Sequence, residues 1–240
     1  YPNEFWKYPV IIYYICYRKD KNFEDKFARF LNKLLAELMT KYILIPTINA
    51  VKGDILKLNS AIVVSDIPKF DFKELDQAQL EAGIQNPHRN VVRMLLKTLA
   101  YKHQDSLLPS KWEIEHIFPQ KWQTNYFIDE SDHKIREKIE HIGNKLPFEK
   151  KLNIIAGNGY FAKKKKEYAA SKIEITKVMG LSEIQEWNLE SISKRDIRIS
   201  DSIIAILKKW NKEYSVITKE IVSNKPSDED LARIAEFKEK

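Results

Sequence analysis

The sequence predicts a mainly α protein in which two helical regions flank a small mixed centre between about residues 108 and 172. Apolar residues recur at steps of three and four towards both ends of the chain. A short period-two alternation begins near residue 112, and no internal repeat or long flexible linker interrupts the sequence. The expected divisions are a helical support region at 1–107, the mixed core at 108–172 and a C-terminal helical region at 173–240. At 43% hydrophobic and 31% charged, the 240 residues exclude a collagen, a coiled coil and wholesale disorder.

Phe23, Phe27, Phe30, Leu31, Leu34, Leu35 and Leu38 form one apolar stripe and predict a long amphipathic helix. Asn86-Pro87 reads as an N-cap with proline at the first helical position, and Val92, Leu95, Leu96 and Leu99 continue that helix to about Lys102. The interval from Asn49 to Glu74 mixes short apolar runs with turn residues and carries no assignment. Trp112, Ile114 and His116 alternate with Glu113 and Glu115, which predicts a short strand ended by Pro119. A polar segment follows to Glu140. Ile142-Gly143-Asn144 reads as a turn entering another short element, and Phe161 to Ser171 reads as a helix after the Gly157-Asn158-Gly159 break. Ile203, Ile204, Leu207, Trp210 and Tyr214 stripe a later helix, and Ser227 with Asp230 resembles a capping box.

The longest apolar run, Val10 to Tyr17, has 8 residues, against about 20 for a membrane span. With no visible signal-peptide cleavage region, a soluble, cytoplasmic chain without a membrane partner is expected. Tyr1 in place of an initiator Met suggests a fragment or a processed chain. Cys16 is the single cysteine, so any metal must be held by His, Asp, Glu or Asn. The formal charge is +7, and the window from Asn144 to Lys172 alone holds eight lysines against two glutamates. Such a field suits a polyanion such as nucleic acid; a solvated, lysine-rich helix face is the equally weighted alternative.

Within the mixed centre lies Glu113-Ile114-Glu115-His116-Ile117-Phe118-Pro119-Gln120. Asn144 follows His116 by 28 residues, and Asn153 follows by a further 9. A histidine beside acidic residues at a strand end can act as a general base near a hard cation, since carboxylate and amide oxygens ligate magnesium or manganese. Such a site would activate water against a phosphodiester.

These residues resemble the HNH branch of the His-Me finger nucleases, whose ββα-metal motif carries an acid-His pair, a middle Asn and a final Asn or His. The wider resemblance is to the C-terminal HNH domain of GmrSD-type modification-dependent restriction enzymes and related phage-defence nucleases. It rests on Glu115-His116-Ile117-Phe118-Pro119-Gln120-Lys121-Trp122, Ile142-Gly143-Asn144, Leu152-Asn153, Asn158, Phe161-x-x-Lys164, Tyr168-x-x-Ser171, Trp187 and Ile192-x-x-Arg195. It covers about Lys111 to Trp210.

The resemblance implies a mainly α fold with a small ββα-metal core, and a DNA endonuclease using one Mg2+ or Mn2+ ion and leaving a 5′-phosphate and a 3′-hydroxyl. It assigns His116 as the base that deprotonates water, Glu115 and Asn153 as metal ligands, and Asn144 as the catalytic-site residue that fixes the loop and orients His116. Lys163, Lys164, Lys165 and Lys166 are the candidate phosphate contacts. Lys145 stands where the family usually has an apolar residue, so a shorter or more exposed strand is expected there. Relatives carry an N-terminal nucleotide-hydrolysing domain with an Asp-Gly-Gln-Gln-Arg signature. That string does not occur in this sequence, so a sensor partner outside it is expected. A non-catalytic DNA-binding or recruitment module on the same scaffold is the alternative function, and RNA is the alternative substrate. Glu113 reads equally as a ligand or as the solvent face of an edge strand, and Asn153 reads also as a plain helix cap.

Overall fold

The computed structural model describes residues 3–72, 76–122 and 131–223, and it is mainly helical. The elements run α1 (Lys7–Tyr17), α2 (Phe23–Leu44), α3 (Lys52–Val64), α4 (Gln77–Gln85), α5 (Arg89–His103), β1 (Trp112–His116), α6 (Asp132–Ile139), β2 (Lys145–Glu149), α7 (Lys150–Ala156), α8 (Phe161–Ala169), α9 (Glu174–Leu181) and α10 (Leu189–Ser223). Among the described residues no helix is long and apolar enough to cross a membrane.

Local chemistry explains the main boundaries. The first turn of α2 carries Glu24 and Asp25 and its last turn Lys41, which complements the helix dipole at both ends. Pro46 keeps Ile45 out of the helical region, at φ −129°, and so stops the helix. The unassigned stretch after Asn49 contains α3, which buries Ile55, Leu58 and Ile62 against α1 and α2. The helix expected to start at Asn86-Pro87 starts instead at Arg89. Asn86 ends α4, and His88 caps α5 by accepting from the Asn90 N–H at 3.3 Å. Asn86 is taken up as the C-cap of α4, its N–H donating to the Ala82 carbonyl at 3.0 Å, and the N-cap role falls to His88. The capping pair at Ser227 and Asp230 lies outside the described residues.

Three apolar clusters hold the elements together. The first joins Tyr13, Phe30, Leu38 and Ile62 with Tyr214 of α10. The second joins α2, α4 and α5 with Trp112, Ile142 and the α10 stripe Ile199, Ile203, Ile204 and Leu207. Residues from all three expected sequence regions meet in this second cluster. The third packs Ile117, Phe118, Leu146, Phe148 and Tyr168 with Trp187 and Ile192. Each fully buried Leu, Ile or Phe stabilises by about 1.5–3 kcal/mol relative to exposure, so these clusters fix where the mixed centre sits.

β1 and β2 form one antiparallel pair, with Trp112 opposite Glu149, Glu115 opposite Leu146 and His116 opposite Lys145. Lys145 is buried at 4% exposure, which corrects the expectation of an exposed strand. Its ammonium donates to the Glu140 carboxylate at 2.8 Å and to the Glu140 carbonyl at 2.6 Å, and these bonds satisfy the charge where an apolar residue would otherwise stand.

Candidate active site

β1 ends at His116, and α7 follows β2 directly, so a strand end and a short helix face the same space. Glu115, His116, Gln120, Asn153, Asn158 and Lys164 line one cavity of about 280 Å3. Adjacent residues in a regular strand point to opposite faces. Because the strand stops at His116, Glu115 and His116 both reach this cavity.

The loop leaving His116 is clamped at both ends by asparagines. Ile117 N–H donates to the Asn144 carbonyl at 2.8 Å, which extends the β1–β2 pairing by one residue. The Asn144 side chain then pairs with Phe118 as a second peptide would, accepting from its N–H at 2.7 Å and donating to its carbonyl at 3.0 Å. It also donates to the Ile139 carbonyl and accepts from the Trp187 indole N–H. Asn144 is 0% exposed. Its side chain is bound to protein throughout, which makes it a positioning residue for the loop that leaves His116. Asn158 repeats the device further on, donating to the Lys121 carbonyl at 2.7 Å and accepting from its N–H at 3.2 Å. Gly157 adopts φ 55°, a left-handed value that suits glycine, and turns the chain from α7 into Asn158.

Glu115 is buried at 5% exposure, and its Oε1 accepts from Lys164 Nζ at 2.6 Å and from the Tyr168 hydroxyl at 2.7 Å. Lys164 Nζ also donates to the His116 carbonyl at 2.7 Å, which fixes the backbone of that residue. Burial lowers the Lys164 pKa against the raising effect of Glu115, while burial and the Glu115 charge push the Tyr168 hydroxyl well above its ordinary range. Among the described residues, Glu115 Oε2 has no hydrogen-bond partner. Asn153 donates from Nδ2 to Glu113 Oε2 at 3.1 Å, and Glu113 Oε1 lies 3.5 Å from Lys150 Nζ.

The four consecutive lysines, each a candidate phosphate contact, do not share a face. A helix turns about 100° per residue, so neighbours diverge. Lys163 and Lys166 are exposed. Lys164 serves Glu115, and Lys165 donates to the Ser182 and Ile184 carbonyls at 2.7 and 2.9 Å.

Glu140 has no sequence signal, since it ends α6 inside a polar stretch without periodicity. Its Oε1 lies 3.4 Å from His116 Nε2. The hydrogen bond with His116, aided by Lys145, holds the Glu140 carboxyl down at about 2 against the opposing effect of burial. The Gln120 side-chain nitrogen lies 3.4 Å from the same ring nitrogen. Arg195 and Asp196 are also supports. Arg195 Nη1 donates to the carbonyls of Ile142, Gly143 and Lys145, and Asp196 accepts from the Gly143 N–H at 2.7 Å and from Lys138 at 2.9 Å. His141 lies 2.8 Å from Asp196, away from the cavity.

The polar residues dispersed between positions 144 and 196 therefore converge as a frame around the end of β1. A family model described as the C-terminal domain of GmrSD restriction endonucleases matches residues 69–201. The chain belongs to this family. Comparisons with curated proteins and with solved structures give no match. Membership in the GmrSD C-terminal family points to a nuclease role, and the family match spans both strands, α7, α8 and the Arg195–Asp196 support.

The donor set at the cavity fits a hard divalent ion held by few protein oxygens. Asn153 turns its amide nitrogen to Glu113, which leaves Oδ1, and Glu115 keeps Oε2. Magnesium commonly takes one or two carboxylates and completes its shell with water and phosphate oxygens. No cluster of three or more His, Cys, Asp or Glu side chains suited to a metal occurs among the described residues, so an amide oxygen would be needed.

Proposed function

We propose that the chain is a divalent-metal-dependent DNA endonuclease with an HNH ββα-metal core at 108–172, acting in modification-dependent restriction or phage defence. The observation that carries this reading is the single cavity shared by His116, Glu115 and Asn153. His116 takes a proton from water as the water oxygen bonds to phosphorus. The bond from phosphorus to the 3′-oxygen breaks, and that oxygen is protonated by solvent, giving a 5′-phosphate and a 3′-hydroxyl. Glu115 Oε2 and Asn153 Oδ1 would hold one Mg2+ or Mn2+ ion. When bound, the ion supplies positive charge to the phosphoryl and leaving oxygens.

Glu140 orients the base. A carboxylate beside Nε2 favours the proton on that nitrogen and leaves Nδ1 as the lone pair for water. Exposed Lys150, Lys151, Lys163 and Lys166 supply the phosphate-facing charge. Sensing of the target belongs to a partner domain outside this sequence.

Supercoiled plasmid incubated with the chain and Mg2+ or Mn2+ tests the reading. Nicking that is lost with EDTA and with His116→Ala is expected, whereas nicking unchanged by His116→Ala would overturn it. A second reading, a DNA-binding module without turnover, draws on the Lys164–Glu115 pair, which already neutralises the carboxylate. That reading predicts a gel shift with no nicking even when the partner domain is supplied.

A further inference from the structure

A second cavity, of about 410 Å3, lies among α5, α9 and α10 and shares no lining residue with the cavity at His116. Leu99, Ile175, Val178, Met179, Ile184 and Ile199 give it apolar walls. Its size falls within the range of small-molecule sites, roughly 300–1,000 Å3.

Arg195 also lines this space, and its residue surface is only 9% exposed. Its Nη1 is bound to the three carbonyls of the 142–145 turn, while Nε and Nη2 have no hydrogen-bond partner among the described residues. Three of the five guanidinium N–H donors are therefore left for another acceptor. Burial and the neighbouring Arg198 lower the Arg195 pKa to about 10, against the raising effect of Asp196. Arg198 adds to the positive side, and Lys102 donates to the lining Ser202 hydroxyl at 2.6 Å. Glu174 is the one acidic side chain lining the cavity.

We infer that this cavity binds a small amphipathic anion, with its apolar body against α9 and its acidic head on Arg195 and Arg198. The inference is independent of nuclease activity. Guanidinium donors that line a cavity without a protein partner can be met by an acceptor that enters it, and a carboxylate or phosphate can pair with a guanidinium in bidentate geometry. Occupancy also has a route to the catalytic loop. The same guanidinium holds the carbonyls flanking Asn144, whose side chain holds Phe118 and accepts from the Trp187 indole.

The test uses 1-anilinonaphthalene-8-sulfonate as the fluorescent probe on the folded chain, because it carries an apolar body and one anionic group. Saturable binding of one probe per chain is expected, weakened about tenfold or more by Arg198→Glu, as the loss of one charge-assisted contact implies. Displacement by octanoate but not by adenosine monophosphate identifies an aliphatic ligand, and the reverse identifies a nucleobase-bearing one; inorganic phosphate alone should displace little. In 15N NMR spectra the Trp187 indole resonance, assigned with Trp187→Phe, should shift on saturation. Binding that is non-saturable, or indifferent both to Arg198→Glu and to Val178→Glu, overturns the inference. Because these readouts need no cleavage, an absence of nicking even with the partner domain supplied would sink the nuclease reading and leave this one standing.

Discussion

Lys164 donates from Nζ to Glu115 Oε1 at 2.6 Å, joining α8 to β1 across 49 positions of sequence with both side chains buried. The lysine of the family pattern is thus part of the carboxylate's support and not of an exposed cationic row. The same holds for Tyr168, Trp187 and Arg195, each of which bonds a residue of the loop or strand that carries His116 or its neighbours.

Removing Lys164 and removing its neighbours should therefore have different consequences. Lys164→Met leaves a buried carboxylate without its cation and is expected to destabilise the fold by about 3 kcal/mol, read by urea unfolding at pH 7. Lys163→Ala and Lys166→Ala should change stability by less than about 0.5 kcal/mol. Each should instead reduce the slope of log DNA affinity against log salt by about 1. Equal effects of all three substitutions on both measurements would contradict the assignment.

Glu140 is expected to act on turnover. Glu140→Gln should lower kcat for nicking about tenfold or more with little change in KM, and Glu140→Asp should recover part of it. Acid stability gives a second readout. The Glu140 carboxyl falls from 4.5 to about 2 on folding, so its stabilising contribution is complete above the unfolded value and is lost as pH falls through the folded one. Urea midpoints of wild type and Glu140→Gln should therefore differ at pH 6 and converge between about pH 4.5 and pH 2.

Asn144 and Gly143 should be costly to change for reasons of packing. Asn144→Ala strands the Phe118 N–H and the Trp187 indole, together with two carbonyls, in a buried site. A loss of about 3 kcal/mol or more is expected in chemical denaturation. At Gly143 a Cβ would stand 2.3 Å from the Ile192 carbonyl oxygen and 2.6 Å from Asp196 Oδ1. Gly143→Ala should likewise lower the unfolding midpoint, and a wild-type midpoint would show that α10 can move away from the turn.

Asn153 offers the complementary case. Its amide bond to Glu113 is only partly buried, so Asn153→Ala should change stability by no more than about 1 kcal/mol. The Mg2+ or Mn2+ concentration for half-maximal nicking should rise about tenfold or more, as for other weakened metal sites. An unchanged metal requirement would remove Asn153 from the ligand set.

Local pattern determined much of this protein. The stripe from Phe23 to Leu38, the strand ending at His116 and the helix after Gly157 follow from periodicity and turn chemistry. The ordered string from Glu115 to Arg195 marked the region in which the site lies. Tertiary structure decided how those residues are used. Helical rotation separates Lys164 from Lys163 and Lys166, and the antiparallel register sets Lys145 opposite His116. The end of α6 then delivers Glu140 to both of them. Neither Glu140 nor the double role of Arg195 has a local signature, because a hydrogen bond between residues tens of positions apart depends on which apolar clusters bring their backbones together. Sequence spacing records periodicity within one element; the partner of a buried charge is chosen by the packing of several.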